Sequence, residues 1–318
     1  MRVLVASTSG FGHRLPLAPF ADGLQQAGHD VRTLISDPPR DPRWDRFHLM
    51  SREEQRAFGE REWFARICTA HMRPLVEAAC DEERPDLILR EPCEYASAIA
   101  AVERDVPFAT VAITNAEGEW SATEFVAPVL PDAVLAPLRE RPFLSRFPAS
   151  IDPSPYPRTH RYAEPAPAAS TGEYVYATFG TAAPGLGYDP YRALLDAVDG
   201  LDVEVLLTGD LDLGPVPRNV RVERWVPQLE ALARARLVVC HGGSGTVLGT
   251  LAAGLPLIIL PLFADQIANA QRLAHVARVV TADELRAAIL DPPPPPLALA
   301  KEIRAAPPPL IALGEGIG

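Results

Sequence analysis

The sequence predicts an α/β protein whose strands form open, parallel sheets in two successive halves. Three observations predict it. Short apolar runs of buried-strand type, such as 237–240, recur along the 318 residues, and each opens into a turn and then a helical pattern. The stretch 148–172 holds six prolines (148, 153, 155, 157, 165 and 167) and neither period, so it reads as a linker between a first domain over 1–147 and a second over 173–318. At 47% hydrophobic and 22% charged, the chain has the material for two cores and no sign of global disorder.

In chain order, residues 1–7 read as the first strand, followed by the turn Thr8-Ser9-Gly10-Phe11-Gly12-His13 and a helix over 15–27 that ends at Gly28. Residues 30–35 form the second strand, and the proline- and aromatic-rich 37–50 reads as loop. Residues 51–80 have helical periodicity, with Phe58, Trp63, Phe64, Ile67, Met72, Leu75 and Val76 as the apolar face. Strands over 85–89 and 106–113 follow, with 114–120 on the ligand side of the second. After the linker, 173–178, 203–208, 237–240 and 256–260 read as buried strands, with a helix over 246–253. Five prolines at 292–296 and three at 307–309 argue against a long closing helix.

Composition excludes several function classes. The net charge is −11 with no basic cluster, which argues against nucleic acid or an anionic membrane as partner. No apolar run reaches the roughly 18 residues that span a bilayer, and the first residues enter a strand without a leader, so a cytoplasmic location is expected. Cys68, Cys80, Cys93 and Cys240 form no C-x-x-C pair and read as reduced thiols. Lys301 is the single lysine among abundant Arg, Ala and Pro, a bias of GC-rich bacterial genomes. Monomer and homodimer both remain open.

The chemistry-bearing positions cluster after strands. His241-Gly242-Gly243-Ser244-Gly245 is a glycine-rich turn between a strand and a helix. There, backbone N–H groups and the helix dipole favour an anion, and His241, Ser244 and Thr246 add side-chain donors. The alternative is a tight turn with glycines for packing. His13 lies past the carboxyl end of the first strand, where open α/β sheets place ligands, or else simply caps its helix. Asp210-Leu211-Asp212 has the spacing of a cation-binding pair but reads as a solvated turn, so no metal is assigned.

One stretch is more specific. Trp225-x-Pro227-Gln228, His241-Gly-Gly-x-Gly-Thr246, Gly254-x-Pro256 and Pro261-x-x-x-Asp265-Gln266 resemble the donor-binding box of family 1 glycosyltransferases of the bacterial natural-product type, similar to calicheamicin- and macrolide-modifying enzymes. The resemblance implies a GT-B fold, two Rossmann-like domains facing across a cleft. It implies an inverting transferase that moves a sugar from a nucleotide-diphosphate donor to a hydroxyl of a hydrophobic small molecule, with no further cofactor. His13, in a first loop that also matches, is implied as general base, and an acid after the 85–89 strand, Glu91 in preference to Glu94, as its partner. Thr181, Trp225, Val226, Gln228, His241, Gly243, Ser244, Gly245 and Thr246 are implied to bind the nucleotide, and Asp265 and Gln266 the sugar.

Two finer expectations follow. Gly249 stands where uridine-nucleotide-using relatives often carry a ribose-binding glutamate, which points to a dTDP-linked, deoxygenated sugar. Trp44, Met50, Trp63, Phe64, Trp120 and Phe125 point to a bulky apolar acceptor such as a polyketide aglycone. A sugar-nucleotide epimerase or hydrolase, and a non-catalytic partner protein of the same fold, are the readings from other classes.

Overall fold

The computed structural model describes residues 1–180, 189–210 and 212–317. It divides into unit 1 (Met1–Asp41, Met50–Ala163 and Ala306–Gly318) and unit 2 (Pro42–Leu49 and Glu164–Ala305).

Unit 1 holds six parallel strands: β1 (Arg2–Thr8), β2 (Asp30–Ser36), β3 (Leu87–Arg90), β4 (Phe108–Val111), β5 (Phe143–Ser145) and β6 (Thr159–Arg161). Their order in the sheet is β2-β1-β3-β4-β5-β6. Because helices cover both faces, β1 is apolar at successive positions rather than alternating. Val3 and Val5 join Leu87, Leu89, Ala109 and Phe20 in one core, while Leu4, Ala6 and Ile88 join Met72, Val76 and Ile99 in another. This is the two-residue period of a strand seen from both sides. The helix Ala18–Gln26 buries Phe20 and Leu24 and ends before Gly28, whose φ of +83° turns the chain into β2.

Unit 2 holds β7 (Tyr174–Thr178), β8 (Val205–Thr208), β9 (Val220–Glu223), β10 (Ala235–Cys240), β11 (Leu257–Ile259) and β12 (Arg278–Val279), in the order β12-β11-β10-β7-β8-β9, all parallel. Val175, Ala177, Leu237, Val239 and Ile258 form one core face with Leu194, Val198 and Leu285. Strand order reverses between β1 and β3 in unit 1 and between β7 and β10 in unit 2. Such switch points leave a crevice at the carboxyl ends of the strands.

The structure divides the chain differently from the sequence reading in three places. The expected linker 148–172 contains β6, held parallel to β5 by Phe143 N–H on the Arg158 carbonyl (2.9 Å) and Tyr162 N–H on the Ser145 carbonyl (3.0 Å). Its prolines at 153, 155 and 157 lie before that strand and remove no ladder donor from it. Residues 42–49, read as loop, form a helical segment of unit 2 in which Phe47 is buried and lies 6.2 Å from Phe263. The tail does close with a helix, Pro309–Ile317, because Pro309 occupies its first position, where no intrahelical N–H is needed. Ala312 and Leu313 enter the Phe20–Tyr162 core of unit 1, and Arg158 donates to the Gly316 carbonyl (2.6 Å). Among the described residues no helix is long and apolar enough to cross a membrane.

Candidate active site

In unit 1 the switch point brings His13 and Glu91 together. β1 ends at Thr8, and a one-turn helix, Phe11–Arg14, carries His13 back over Gly10, with His13 N–H on the Gly10 carbonyl (3.0 Å). A Cβ on Gly10 would lie 2.8 Å from His13 Cδ2, so only glycine lets the ring settle there. Glu91 follows β3 and is fully buried, with Oε2 3.3 Å from His13 Nδ1. Its Oε1 accepts from Thr8 N–H (3.0 Å) and the Thr8 hydroxyl (2.9 Å), and its Oε2 accepts from Cys93 N–H (2.6 Å). Burial pushes the Glu91 carboxyl up, but the His13 charge and hydrogen bond, with the N–H groups of Thr8 and Cys93, outweigh it and hold it below the usual range. Glu91 is therefore a buried carboxylate facing the His13 ring.

Glu94, the alternative acid, caps the helix Tyr95–Glu103 by accepting from Ser97 N–H at 3.1 Å. Burial raises its carboxyl, against Arg90 and Ser97. Arg90 is a residue that sequence reasoning missed. Its guanidinium, 1% exposed, donates to the carbonyls of Pro92 (2.9 Å) and Glu94 (2.7 and 2.9 Å) and to the Thr110 hydroxyl (3.1 Å), pinning the loop that carries Glu91. A buried cation among carbonyls leaves no signal in a single sequence. Phe64 lies 5.1 Å from His13, on a wide π-helical stretch, Ala57–Cys68. Three of the other acceptor-side aromatics are engaged elsewhere. Trp120 packs on Tyr156 beneath Arg139, Phe125 lies under Arg56 and Arg61, and Trp44 pairs with Phe47 in unit 2.

In unit 2 the corresponding point is the turn after β10. Gly242 takes φ +93°, and Gly243 is the N-cap of the helix Ser244–Ala253, lending its first turn no side chain. The His241 ring sits between two glycine backbones. A Cβ on Gly180 would come within 2.8 Å of Nε2, and one on Gly243 within 2.5 Å. Burial lowers His241 to about 4, against hydrogen bonding with the Thr178 backbone, so the ring is neutral at pH 7. Asn269, unnoticed in the sequence, ties the turn to the helix Asp265–Leu273. Its Nδ2 donates to the Gly242 carbonyl (3.0 Å), the Ser244 hydroxyl (3.1 Å) and Asp265 Oδ2 (3.2 Å).

Ser244 Oγ also donates to Asp265 Oδ2 (3.2 Å), and Asp265 follows Ala264, whose φ of +52° is a strained non-glycine backbone. Gln266, expected to meet sugar, is buried, and its Oε1 accepts from the N–H groups of Leu262 (3.0 Å) and Phe263 (3.1 Å), which shapes the loop. Gln228 Nε2 donates to the Gly245 carbonyl (3.2 Å) and fills the space a Cβ on Gly249 would take. Trp225 is 64% exposed, Val226 beside it is half-buried, and Thr246 lies in the first helical turn. Thr181 lies outside the described residues. Asp210 pairs with Arg224 (2.9 Å) and Asp212 accepts from Gly214 N–H (3.0 Å), so the two carboxylates have separate partners.

Comparison with known proteins places this geometry. Residues 192–291 match the family "Erythromycin biosynthesis protein CIII-like, C-terminal domain". The chain is 29% identical over 334 residues to the L-demethylnoviosyl transferase of Streptomyces niveus, covering 87% of this chain and 83% of that one. Among solved structures, spinosyn rhamnosyltransferase SpnG superposes with a TM-score of 0.80 at 20% identity over the whole of both chains. Glycosyltransferase SsfS6 of Streptomyces sp. SF2575, solved with thymidine diphosphate, does so with 0.76 at 22% identity, also over both whole chains. Fold, motifs and matches define a GT-B glycosyltransferase. Within that class, the chain is similar to family 1 enzymes of the natural-product type.

Proposed function

We propose that the chain transfers a deoxygenated hexose from a dTDP-linked donor to a hydroxyl of an apolar aglycone, in the cytoplasm, with inversion and without metal. The observation that carries this reading is the buried Glu91 carboxylate on His13 Nδ1 at the β1–β3 switch point. A carboxylate at Nδ1 keeps the ring proton there and leaves the Nε2 lone pair for the acceptor hydroxyl. As the hydroxyl oxygen attacks the anomeric carbon, its proton passes to Nε2, and Glu91 balances the imidazolium. A single displacement on the face opposite the diphosphate inverts the centre. The departing diphosphate would rest on the first turn of Ser244–Ala253, an anion site needing no cation.

Trp225 offers an exposed face for the base, and Asp265 an acceptor for sugar hydroxyls. Gly249 supports the thymidine choice, since it offers a ribose 2′-hydroxyl no side-chain acceptor. SpnG, solved separately with thymidine diphosphate and with spinosyn aglycone, and SsfS6 supply the analogy. Phe64 beside His13 supports an apolar acceptor. The test is a mass-spectrometric screen of dTDP- and UDP-sugars against polyketide and other apolar aglycones, with His13→Ala as control. A glycosylated product formed by wild type and absent with His13→Ala is expected. Acceptor-independent breakdown of the sugar nucleotide, or donor binding without transfer to any acceptor, would replace the reading.

A further inference from the structure

His13, Glu91 and Cys93 bring three kinds of metal ligand to one point. A ring nitrogen, a carboxylate oxygen and the thiol sulfur all lie within 4.8 Å of one another, the one such three-residue group among the described residues. The separation of His13 Nδ1 and Glu91 Oε2 is 3.3 Å. In a tetrahedral zinc site with bonds of about 2.0–2.1 Å, the edge between a nitrogen and an oxygen ligand is also about 3.3 Å. These two donors thus already span one edge of a tetrahedron. A thiolate bonds zinc at about 2.3 Å, so its edges are longer, and the Cys93 sulfur, within 4.8 Å of the other two donors, would have to move inward to close the face. Outer support is in place, because Thr8 N–H, the Thr8 hydroxyl and Cys93 N–H hold the Glu91 carboxylate. Glu91 and His13 Nδ1 are buried, whereas the His13 side chain as a whole is 20% exposed and Cys93 is half-buried, so an ion would enter from their side by a side-chain movement.

We propose that His13, Glu91 and Cys93 form a site for a thiophilic divalent cation, and that its occupancy switches transfer off. On binding, the Cys93 thiol releases its proton to solvent. A cation on Nδ1 requires the ring hydrogen on Nε2, and an Nε2–H cannot take the acceptor's proton. The inhibitory half rests on His13 being the base; the binding half does not.

The experiment titrates Zn²⁺ alone into the full chain by calorimetry, and Co²⁺ by absorbance, for wild type, Cys93→Ala, Cys93→Ser and His13→Ala. Transfer is followed in parallel with and without Zn²⁺. Wild type should bind one Zn²⁺ per chain and show a thiolate-to-cobalt charge-transfer band. Both cysteine variants should lose that band, and they and His13→Ala should bind Zn²⁺ at least about 10-fold more weakly, since even outer-shell losses cost that much. Zn²⁺ should stop wild-type transfer, a chelator should restore it, and the transfer that Cys93→Ala retains should resist Zn²⁺. Unchanged Zn²⁺ affinity in both cysteine variants, or a Co²⁺ complex without the thiolate band, overturns the site. Zn²⁺ bound as described with transfer unaffected overturns the inhibitory half. Binding as described in a chain that transfers no sugar upholds the site and sinks the enzymatic reading instead.

Discussion

Glu91→Gln is the sharpest test of how the dyad works. Glutamine matches the carboxylate in shape but has one acceptor and one donor end. Glu91 now accepts three hydrogen bonds, two from Thr8 and one from Cys93 N–H, and its Oε2 lies 3.3 Å from His13 Nδ1. If the amide oxygen faces Thr8, the NH₂ group meets Cys93 N–H, donor to donor, and presents a donor to His13 Nδ1. The imidazole must then place its hydrogen on Nε2, where it cannot act as base. If the amide is flipped, the donor conflict moves to Thr8. Either way a buried N–H loses its partner, at about 1–3 kcal/mol of stability. The equivalent acid-to-amide change in a serine-protease triad costs about 10⁴ in rate, or about 5 kcal/mol of barrier. Single-turnover transfer should fall by that order while nucleoside diphosphate affinity in calorimetry stays put. Glu91 also carries a pH signature. Its folded pKa lies below the unfolded value, so its stabilisation is present above that unfolded value and is lost as pH falls through the folded one. Glu91→Gln should flatten this acid limb in denaturant melts. A variant transferring within about tenfold of wild type would refute the tautomer argument.

Three further outcomes are expected. His241 has a folded pKa near 4 against 6.5, so the unfolded chain binds the extra proton between those values. Its contribution, up to about 3 kcal/mol, is present above pH 6.5 and lost on acidification toward 4, and melts of His241→Asn should lose less over that window. By calorimetry, thymidine diphosphate should bind about tenfold or more tightly than uridine diphosphate, and equal affinities would remove the Gly249 argument. Transfer should survive a strong chelator and the changes Asp210→Asn and Asp212→Asn. Inactivation rescued by a divalent cation would assign those carboxylates a role.

Much of the fold was legible because its strands are buried on both faces. A continuous apolar run such as 237–240 cannot be mistaken for surface, and the strand-to-helix turns after β1 and β10 announce themselves by glycine. The strands that escaped were β5, β6, β9 and β12, two to four residues each, too short to show a period. β6 was further hidden because proline content was read as linker, although a strand needs only its own few N–H groups. The residues His13 and Glu91 were legible, although the preference for Glu91 over Glu94 rested on the resemblance and on their order in the chain. Both carboxylates follow β3, and only coordinates show one turned to the imidazole and the other to a helix N-terminus. Arg90 and Asn269 were invisible for a related reason: each serves carbonyl groups, which every sequence has.

The glycines separate into two kinds, and the separation has a measurable consequence. Gly10, Gly180 and Gly243 each clear a histidine ring, and Gly242 supplies a positive φ, so their reasons lie inside the fold. Gly12 and Gly245 differ. A Cβ on either meets nothing within 4 Å, and neither has a positive φ, so the folded chain makes no demand for glycine at these positions. Both occupy first turns of helices that follow a switch-point strand. Glycine in a helix costs about 0.5–1 kcal/mol relative to alanine, so the chain pays for a residue that its own packing does not need. Gly59 and Gly314 also meet nothing, so what distinguishes Gly12 and Gly245 is their place after switch-point strands, where a ligand would approach the backbone. Gly245→Ala should therefore stabilise the protein by about 0.4–1 kcal/mol in denaturant melts, through a less flexible unfolded state. The same methyl group should weaken nucleoside diphosphate binding about tenfold, the loss of one charge-assisted hydrogen bond. The two effects have opposite sign, so misfolding cannot imitate them. A Gly245→Ala protein that is more stable and binds the nucleotide as tightly as wild type would remove the diphosphate from this turn.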